Sequence, residues 1–201
     1  MGRWEPNARD RLALAALELF GERGYEQTTV AEIAGRAGLT ERTFFRHFAD
    51  KREVLFSGGV DLRGLLERGV AEAPDTAGPI DAVAAALTAI SAVFAERPDF
   101  VRQRHAVVEA TPELRERELI KLASFASALT DALRQRGVPA LAASLAAETG
   151  MAVFRIAFQR WAQQTDQKTD LARLIHDSLD ELRAMTAGAA TEDRVGHRPG
   201  R

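Results

Sequence analysis

Residues 28–55 read TTVAEIAGRAGLTERTFFRHFADKREVL, and the reading of this stretch decides the fold. Thr29 and Glu32 form a Thr-x-x-Glu capping box, in which hydroxyl and carboxylate each satisfy a backbone N–H left open at a helix start. Ile33, Ala34 and Ala37 lay an apolar stripe along the helix that follows, and Gly38 supplies the left-handed residue that ends it. Thr40 then caps a second helix almost at once. Two short helices joined by a glycine turn this tight form a helix-turn-helix, whose second helix enters the major groove of duplex DNA by its N-terminal residues.

That second helix is expected over 40–48. Phe44 and Phe48, four residues apart, anchor it, while Glu41, Arg42, Thr43, Phe45, Arg46 and His47 occupy faces that packing alone does not need. Arg42 has the planar fork that pairs with guanine, and Thr43 or Phe45 can touch a thymine methyl. Glu41 can accept from cytosine N4, or it can simply favour the positive end of its own helix. His47, beside Phe48, can be a packing residue with its tip in water. Asp50 and Glu53 make a further capping box, which predicts a helix running from Lys51 to Ala71. Lys51 lies beside the positive end of that helix and is a candidate phosphate clamp.

Working outward, RDRLALAALELFGERG carries Leu12, Ala15, Ala16, Leu19 and Phe20 at i, i+3, i+4, i+7 and i+8, a helix starting near Asn7 and stopped by Gly24. The run ALELFGERGYEQTTVAEIAGRAGL through TERTFFRHFADK resembles the N-terminal domain of TetR-type transcriptional regulators over roughly residues 8–56. In that family a helix ending in Leu-Phe and Gly-Tyr supports a Thr-Thr-x-x-x-Ile-Ala helix, an Ala-Gly turn and a recognition helix ending in His-Phe. The resemblance implies base-edge contacts from Arg42, Thr43, Phe45 and Arg46, with Glu41 as an addition. It also implies phosphate contacts from Thr29, Thr40, His47 and Lys51. Phe45 departs from the family, where a tyrosine is common, so a phenolic contact to phosphate is lost.

Beyond Ala71 the segment APDTAGP at 73–79 is a loop by composition. Helical patterns follow over 80–96, 99–110, 113–136, 140–164 and 170–185, with no alternating run of strand character. The expected fold is all-α: a three-helix DNA-binding domain over 1–52, a helical effector-binding and dimerisation domain over 53–187, and a polar, glycine-rich disordered tail over 188–201. Leu141, Leu145, Ala146, Met151, Ala152, Leu171, Leu174 and Leu182 give the last two helices more apolar surface than an ordinary surface helix needs. Such a pair can close a four-helix bundle with a second copy, as the resemblance also implies. Phe94, Phe125, Phe154, Phe158 and Trp161, with Arg102 and His105, are the candidates for a small-molecule pocket between bundle helices.

The chain has 201 residues and no cysteine, which excludes disulfides, thiolate chemistry and cysteine-bound metals. The four histidines show no metal-ligand spacing, and neither a nucleophile elbow nor a phosphate-binding loop occurs. No enzyme, cofactor or metal is expected. The start MGRWEPNARD lacks the apolar core of a signal peptide, and no uninterrupted apolar run spans a bilayer. A cytoplasmic protein without a membrane partner is therefore expected. A net charge of −2 sits awkwardly with duplex binding, which depends on neutralised phosphates. Position resolves it: Arg42, Arg46, His47, Lys51 and Arg52 fall within eleven residues. The partners expected are double-stranded DNA, a small-molecule effector and a second copy of the chain. The competing function is a helical protein-binding or architectural module without effector response.

Overall fold

Asn7 opens the first helix by accepting the Asp10 amide on its side chain at 3.0 Å, and Gly24, at φ 84°, closes it. The computed structural model describes residues 7–56, 60–164 and 169–192, with the side chains of the last helix described to Ala187. Among these residues the chain forms α1 (Ala8–Arg23), α2 (Val30–Arg36), α3 (Glu41–His47), a 3₁₀ turn (Glu53–Leu55), α4 (Leu62–Ala71), α5 (Pro79–Ala95), α6 (Pro98–Ala110), α7 (Pro112–Gln135), α8 (Ala140–Gln163) and α9 (Leu171–Glu192), with no strand. The all-α expectation holds, and most boundaries fall within two residues of those read from the periodicity.

One expected helix is broken. The predicted continuous run from Lys51 to Ala71 is instead the 3₁₀ turn and the separate α4. The Asp50 carboxylate does accept the amides of Arg52 and Glu53, at 2.8 and 3.1 Å. Glu53, however, does not reach back to complete the box; its carboxylate takes the Arg117 guanidinium at 2.9 Å. The sequence that follows is Ser57-Gly58-Gly59, outside the described residues, and paired glycines are poor material for a helix interior. Asp61 then caps α4 through the Gly64 amide at 2.9 Å.

The chain divides into two compact units, residues 1–64 with 96–125, and residues 65–95 with 126–201. This cuts the chain differently from the expected boundary after residue 52. In the first unit Leu12, Leu19 and Phe20 of α1, Ile33 of α2, Phe44 of α3 and Val54 and Leu55 of the 3₁₀ turn share one core. Val107 and Val108 of α6 and Leu114 of α7 join the same core. Apolar side chains at i and i+1 look alike whichever partner they meet, so the sequence pattern could not assign α6 to this unit.

In the second unit α5, α8 and α9 pack against one another, through Val83, Leu87 and Ile90, Ala143, Ala147 and Ala157, and Leu171, Ile175 and Leu179. Two glycines set the spacing. A Cβ on Gly69 would lie 2.6 Å from the Ala86 Cα, and one on Gly150 would lie 2.3 Å from Val83 Cγ1. The Arg136 guanidinium closes the end of α4 by donating to the carbonyls of Val70, Ala73 and Pro74 at 3.0, 2.8 and 2.8 Å. Gly137, at φ 84°, lets α7 end as its position after the helix predicts. By length and composition α8 is apolar enough to cross a bilayer, and 39% of its most apolar stretch is buried within the fold. The backbone of α9 continues to Glu192, through the first part of the span expected as a tail; residues 193–201 lie outside the described residues.

Gly150→Ala tests the α5–α8 crossing. Val83 is stiff at χ1, so the helices must separate, and we expect a loss of roughly 1–3 kcal/mol in chemical denaturation. Adding Val83→Ala should return part of that loss; an undiminished loss in the double variant contradicts the crossing.

Candidate nucleic-acid interface

The turn between α2 and α3 is held from both sides. Gly38 adopts φ 64°, and its amide bonds the Gly35 carbonyl at 3.0 Å while the Leu39 amide reaches the Ala34 carbonyl at 2.8 Å. This pair of bonds is the Schellman ending, which satisfies carbonyls that a terminating helix leaves open. The guanidinium of Arg11, on α1, donates to the Ala37 carbonyl beside it. A Cβ at residue 38 would lie 2.9 Å from that guanidinium, so the left-handed backbone and the close approach both ask for glycine.

Both threonine caps form. The Glu32 amide donates to Thr29 Oγ1 at 3.2 Å and the Thr29 amide donates to the Glu32 carboxylate at 2.8 Å. The Thr43 amide donates to Thr40 Oγ1 at 3.2 Å. Phe44 and Phe48 are buried, their ring centroids 5.3 Å apart, and the Arg9 guanidinium covers the Phe48 ring at 5.4 Å. With that face fixed, Glu41, Arg42, Phe45 and Arg46 are exposed and Thr43 and His47 half-buried. Phe45 is 55% exposed, its ring meeting that of Phe44 edge-on at 5.5 Å.

The charges divide into two kinds. Arg23 pairs with Glu32 at 2.9 Å, Arg36 with Glu18 and Glu22 at 3.2 and 2.9 Å, and Arg52 with Asp50 at 2.7 Å. Arg42 and Arg46 make no ion pair among the described residues. The paired arginines brace α2 against α1 and close the turn after α3, while the unpaired ones stand on the exposed face of α3.

Three of the residues expected at phosphate have defined surroundings within the protein itself. Lys51 donates to the carbonyls of Tyr25 and Thr28 at 2.8 and 3.1 Å and lies 4.0 Å from the Tyr25 ring centroid, strapping the α1–α2 loop with two of its three protons. The Thr29 hydroxyl donates to Glu32 at 3.0 Å. His47 has its Nε2 buried without a hydrogen-bond partner. Arg9, Arg11, Arg36 and Tyr25 were not singled out by sequence reasoning, because each acts on residues far along the chain. The one sequence signal for Arg36 is its place four residues after Glu32, a spacing at which side chains share a helix face.

The effector candidates fall into two groups. Phe94, Phe154, Phe158 and Trp161 cluster in the second unit, with centroid spacings of 5.7 Å for Phe94–Phe158, Phe154–Phe158 and Phe158–Trp161. Trp161 and Phe154 are buried, Phe94 and Phe158 half-buried. Arg102, His105 and Phe125 belong to the first unit. Burial holds the His105 imidazole below its ordinary pKa, against the opposing pull of Glu109 and Glu118. Among the described residues no group of acidic, histidine or cysteine side chains is arranged to hold a metal.

Residues 13–57 match the family described as bacterial regulatory proteins, tetR family, and residues 77–187 match the domain described as MftR C-terminal domain. The chain belongs to the TetR family of transcriptional regulators. It is thus a DNA-binding helix-turn-helix protein, of a family of regulators rather than enzymes. The regulator TcmR of Streptomyces glaucescens is 59% identical over 46 residues, covering 23% of this chain and 20% of that protein. The putative mycofactocin biosynthesis regulator MftR of Mycobacterium tuberculosis is 24% identical over 192 residues, covering 92% of this chain and 93% of that protein. The complex of SmeT with triclosan superposes with a TM-score of 0.63 at 22% identity, covering 88% of this chain and 91% of that one. SmeT is the repressor of the Stenotrophomonas maltophilia efflux pump SmeDEF; at this identity the likeness is one of fold.

The carboxylates that brace α1, α2 and the turn after α3 set an acid limit. Glu22 is held below the usual carboxylate range by Arg36, Glu32 by the Thr29 amide and hydroxyl, and Asp50 by Arg52. A carboxylate with a lowered native pKa contributes stability above its unfolded value, and that contribution disappears as pH falls through the native value. Urea midpoints of the full chain should therefore hold from pH 7 to about 5 and drop below about 4. In Arg36→Met the acid-dependent part of the drop should shrink, and a profile identical to wild type removes Glu22 from the account.

Proposed function

We propose that the chain is a homodimeric repressor that holds a palindromic operator through two copies of α3 and is released by a small, largely apolar effector. The observation that carries the DNA reading is the pair of unpaired arginines, Arg42 and Arg46, on a helix whose opposite face is pinned by Phe44 and Phe48. A surface arginine without a carboxylate partner keeps its full charge and all its donors for base edges or phosphates. Glu41, Thr43 and Phe45 complete the base-reading face, while Thr29, Thr40, His47 and the remaining proton of Lys51 serve phosphates. Operation in the cytoplasm, where the DNA is, follows from this role.

Dimerisation is supported by an uncovered apolar stripe on α8. Leu141, Leu145 and Ile156 are 74, 59 and 50% exposed, and Met185 of α9 is 67% exposed; Ala152 faces outward with them. Ala146, Met151, Leu171 and Leu174, expected in the same interface, are spent on the unit's own core. A second copy applied across a two-fold axis would cover the stripe with itself. The two α3 helices of the dimer would then address successive major grooves.

Effector response is supported by the aromatic cluster of Phe94, Phe154, Phe158 and Trp161, with Arg102, His105 and Phe125 as further candidates, and by the triclosan bound to the SmeT fold relative. The effector acts by population shift: it binds the DNA-unfit arrangement more tightly, with the 1 to 3 kcal/mol of coupling typical of such regulators.

Selection of bound genomic fragments by the purified protein should return an inverted repeat, and a set without two-fold symmetry refutes the dimeric reading. On that operator Arg42→Ala should lose about 1–3 kcal/mol of discrimination at one base pair of each half-site. Lys51→Gln should lower the thermal midpoint and reduce the salt slope of binding by about one; an unchanged slope leaves Lys51 as the strap of the α1–α2 loop alone.

A further inference from the structure

In the first unit, α7 carries Leu114, Arg117, Glu118, Lys121 and Phe125 at the spacing of one helix face. Leu114 and Phe125 are buried, the three charged residues half-buried. The Arg104 guanidinium of α6 clamps both Glu118 carboxylate oxygens, at 3.2 and 2.6 Å, and donates its Nε to the Leu55 carbonyl at 2.8 Å. Arg117 donates to Glu53 of the 3₁₀ turn at 2.9 Å. The Phe56 ring lies among three cations: Arg104 at 4.9 Å, Arg117 at 5.6 Å and Lys121 at 6.0 Å.

The two arginines have carboxylates. Lys121 does not: among the described residues its ammonium makes no hydrogen bond and no ion pair, only the contacts with Phe56 and, at 5.7 Å, with Phe125. Three cations thus share two carboxylates, and the surplus charge sits on a side chain lying between two phenyl rings. Burial pushes the Lys121 ammonium down to about 8, Arg104 and Arg117 act in the same direction, and Glu118 and Glu53 oppose them. A surface lysine would turn to water, but this one sits on the inward face of its helix. One missing negative charge, beside two buried phenyl rings, describes what would complete the site.

Resting on the effector reading above, we propose that Lys121 is the seat for the acid group of the effector, an amphiphilic monocarboxylate whose hydrocarbon lies against Phe56 and Phe125. The carboxylate supplies the third negative charge that Arg104, Arg117 and Lys121 lack. An ion pair in such partly desolvated surroundings is stronger than one in water, so the neutral analogue of the same chain length binds less well. The cluster gathers the 3₁₀ turn just beyond the recognition helix, α6 and α7 into one charged network. A bound anion therefore alters the forces on an element that starts seven positions after Arg46.

The chain has three lysines, Lys51, Lys121 and Lys168, so reductive ¹³C-dimethylation of the full protein gives a spectrum in which each can be followed. The signal missing from Lys121→Met should titrate near pH 8 in the wild type. Saturating dodecanoate should raise its midpoint by one unit or more, while 1-dodecanol and free coenzyme A should not. By calorimetry, dodecanoate should bind Lys121→Met at least tenfold more weakly than wild type, Lys121→Arg should retain binding, and dodecanol should not distinguish the three. An unmoved midpoint, equal dodecanoate affinity in wild type and Lys121→Met, or a response to coenzyme A alone overturns the assignment. Gel shifts separate this from the wider reading. A ligand that releases DNA from wild type and Lys121→Met alike sinks only the Lys121 site, whereas no release by any bound ligand sinks the effector reading itself.

Discussion

Burial of Phe44 and Phe48 beneath α3 is the interaction on which the rest of the DNA-facing surface depends. A seven-residue helix has little stability of its own, and it exists here because those two rings close the core built by Leu12, Phe20, Ile33 and Val54. Once they are seated, the orientation of α3 about its axis is set. Arg42, Phe45 and Arg46 then have nowhere to point but outward. The Schellman turn at Gly38, tied by Arg11 to the start of α1, fixes the angle at which α3 leaves α2. The same aromatic pair that stabilises the helix selects which of its side chains remain exposed, and so which are available to the base contacts proposed above.

The arrangement of charge explains how an overall acidic protein, with a net charge of −2, can serve nucleic acid. Four acidic residues of the α1–α3 region are engaged in bracing. Glu18 and Glu22 hold Arg36, Glu32 holds Arg23 and the Thr29 cap, and Asp50 holds Arg52. Each of these pairs removes a carboxylate from the field that a phosphate would feel and spends an arginine that is not on α3. What is left uncompensated is the pair of arginines where they matter. Exposed ion pairs contribute little individually to stability, so their arrangement has more consequence for electrostatics than for folding.

The second unit is governed by small residues instead. Gly69 against Ala86 and Gly150 against Val83 bring helix backbones closer than larger side chains permit. The alanines of α5 and α8 extend the close contact. Over residues 143–150 α8 buries Ala143, Ala146, Ala147 and Gly150, while Leu141, Leu145 and, further along, Ile156 are left exposed. From Met151 onward the buried side of α8 carries larger residues, Met151, Val153, Phe154 and Trp161.

The sequence by itself determined whatever depends on neighbours along the chain. Capping boxes, the glycine stop, the i, i+4 aromatic pair and the helical periodicity are all written within a few residues, so α1, α2, α3 and the all-α class were legible with nearly correct bounds. The break in the helix expected from Lys51 was not, because Asp50 and Glu53 satisfy the capping pattern while Glu53 is captured by Arg117, 64 residues away. Tertiary structure alone decided that Lys51 straps the α1–α2 loop, that Val107 and Val108 of α6 join the core beneath α3, that Ala146 and Met151 turn inward while Leu141 and Leu145 do not, and that Lys121 has no carboxylate. The physical reason is the same in each case. A side chain's local propensity is set by its own backbone, but its partner is set by which distant segment reaches it first, and hydrophobic pattern and charge alone carry no address.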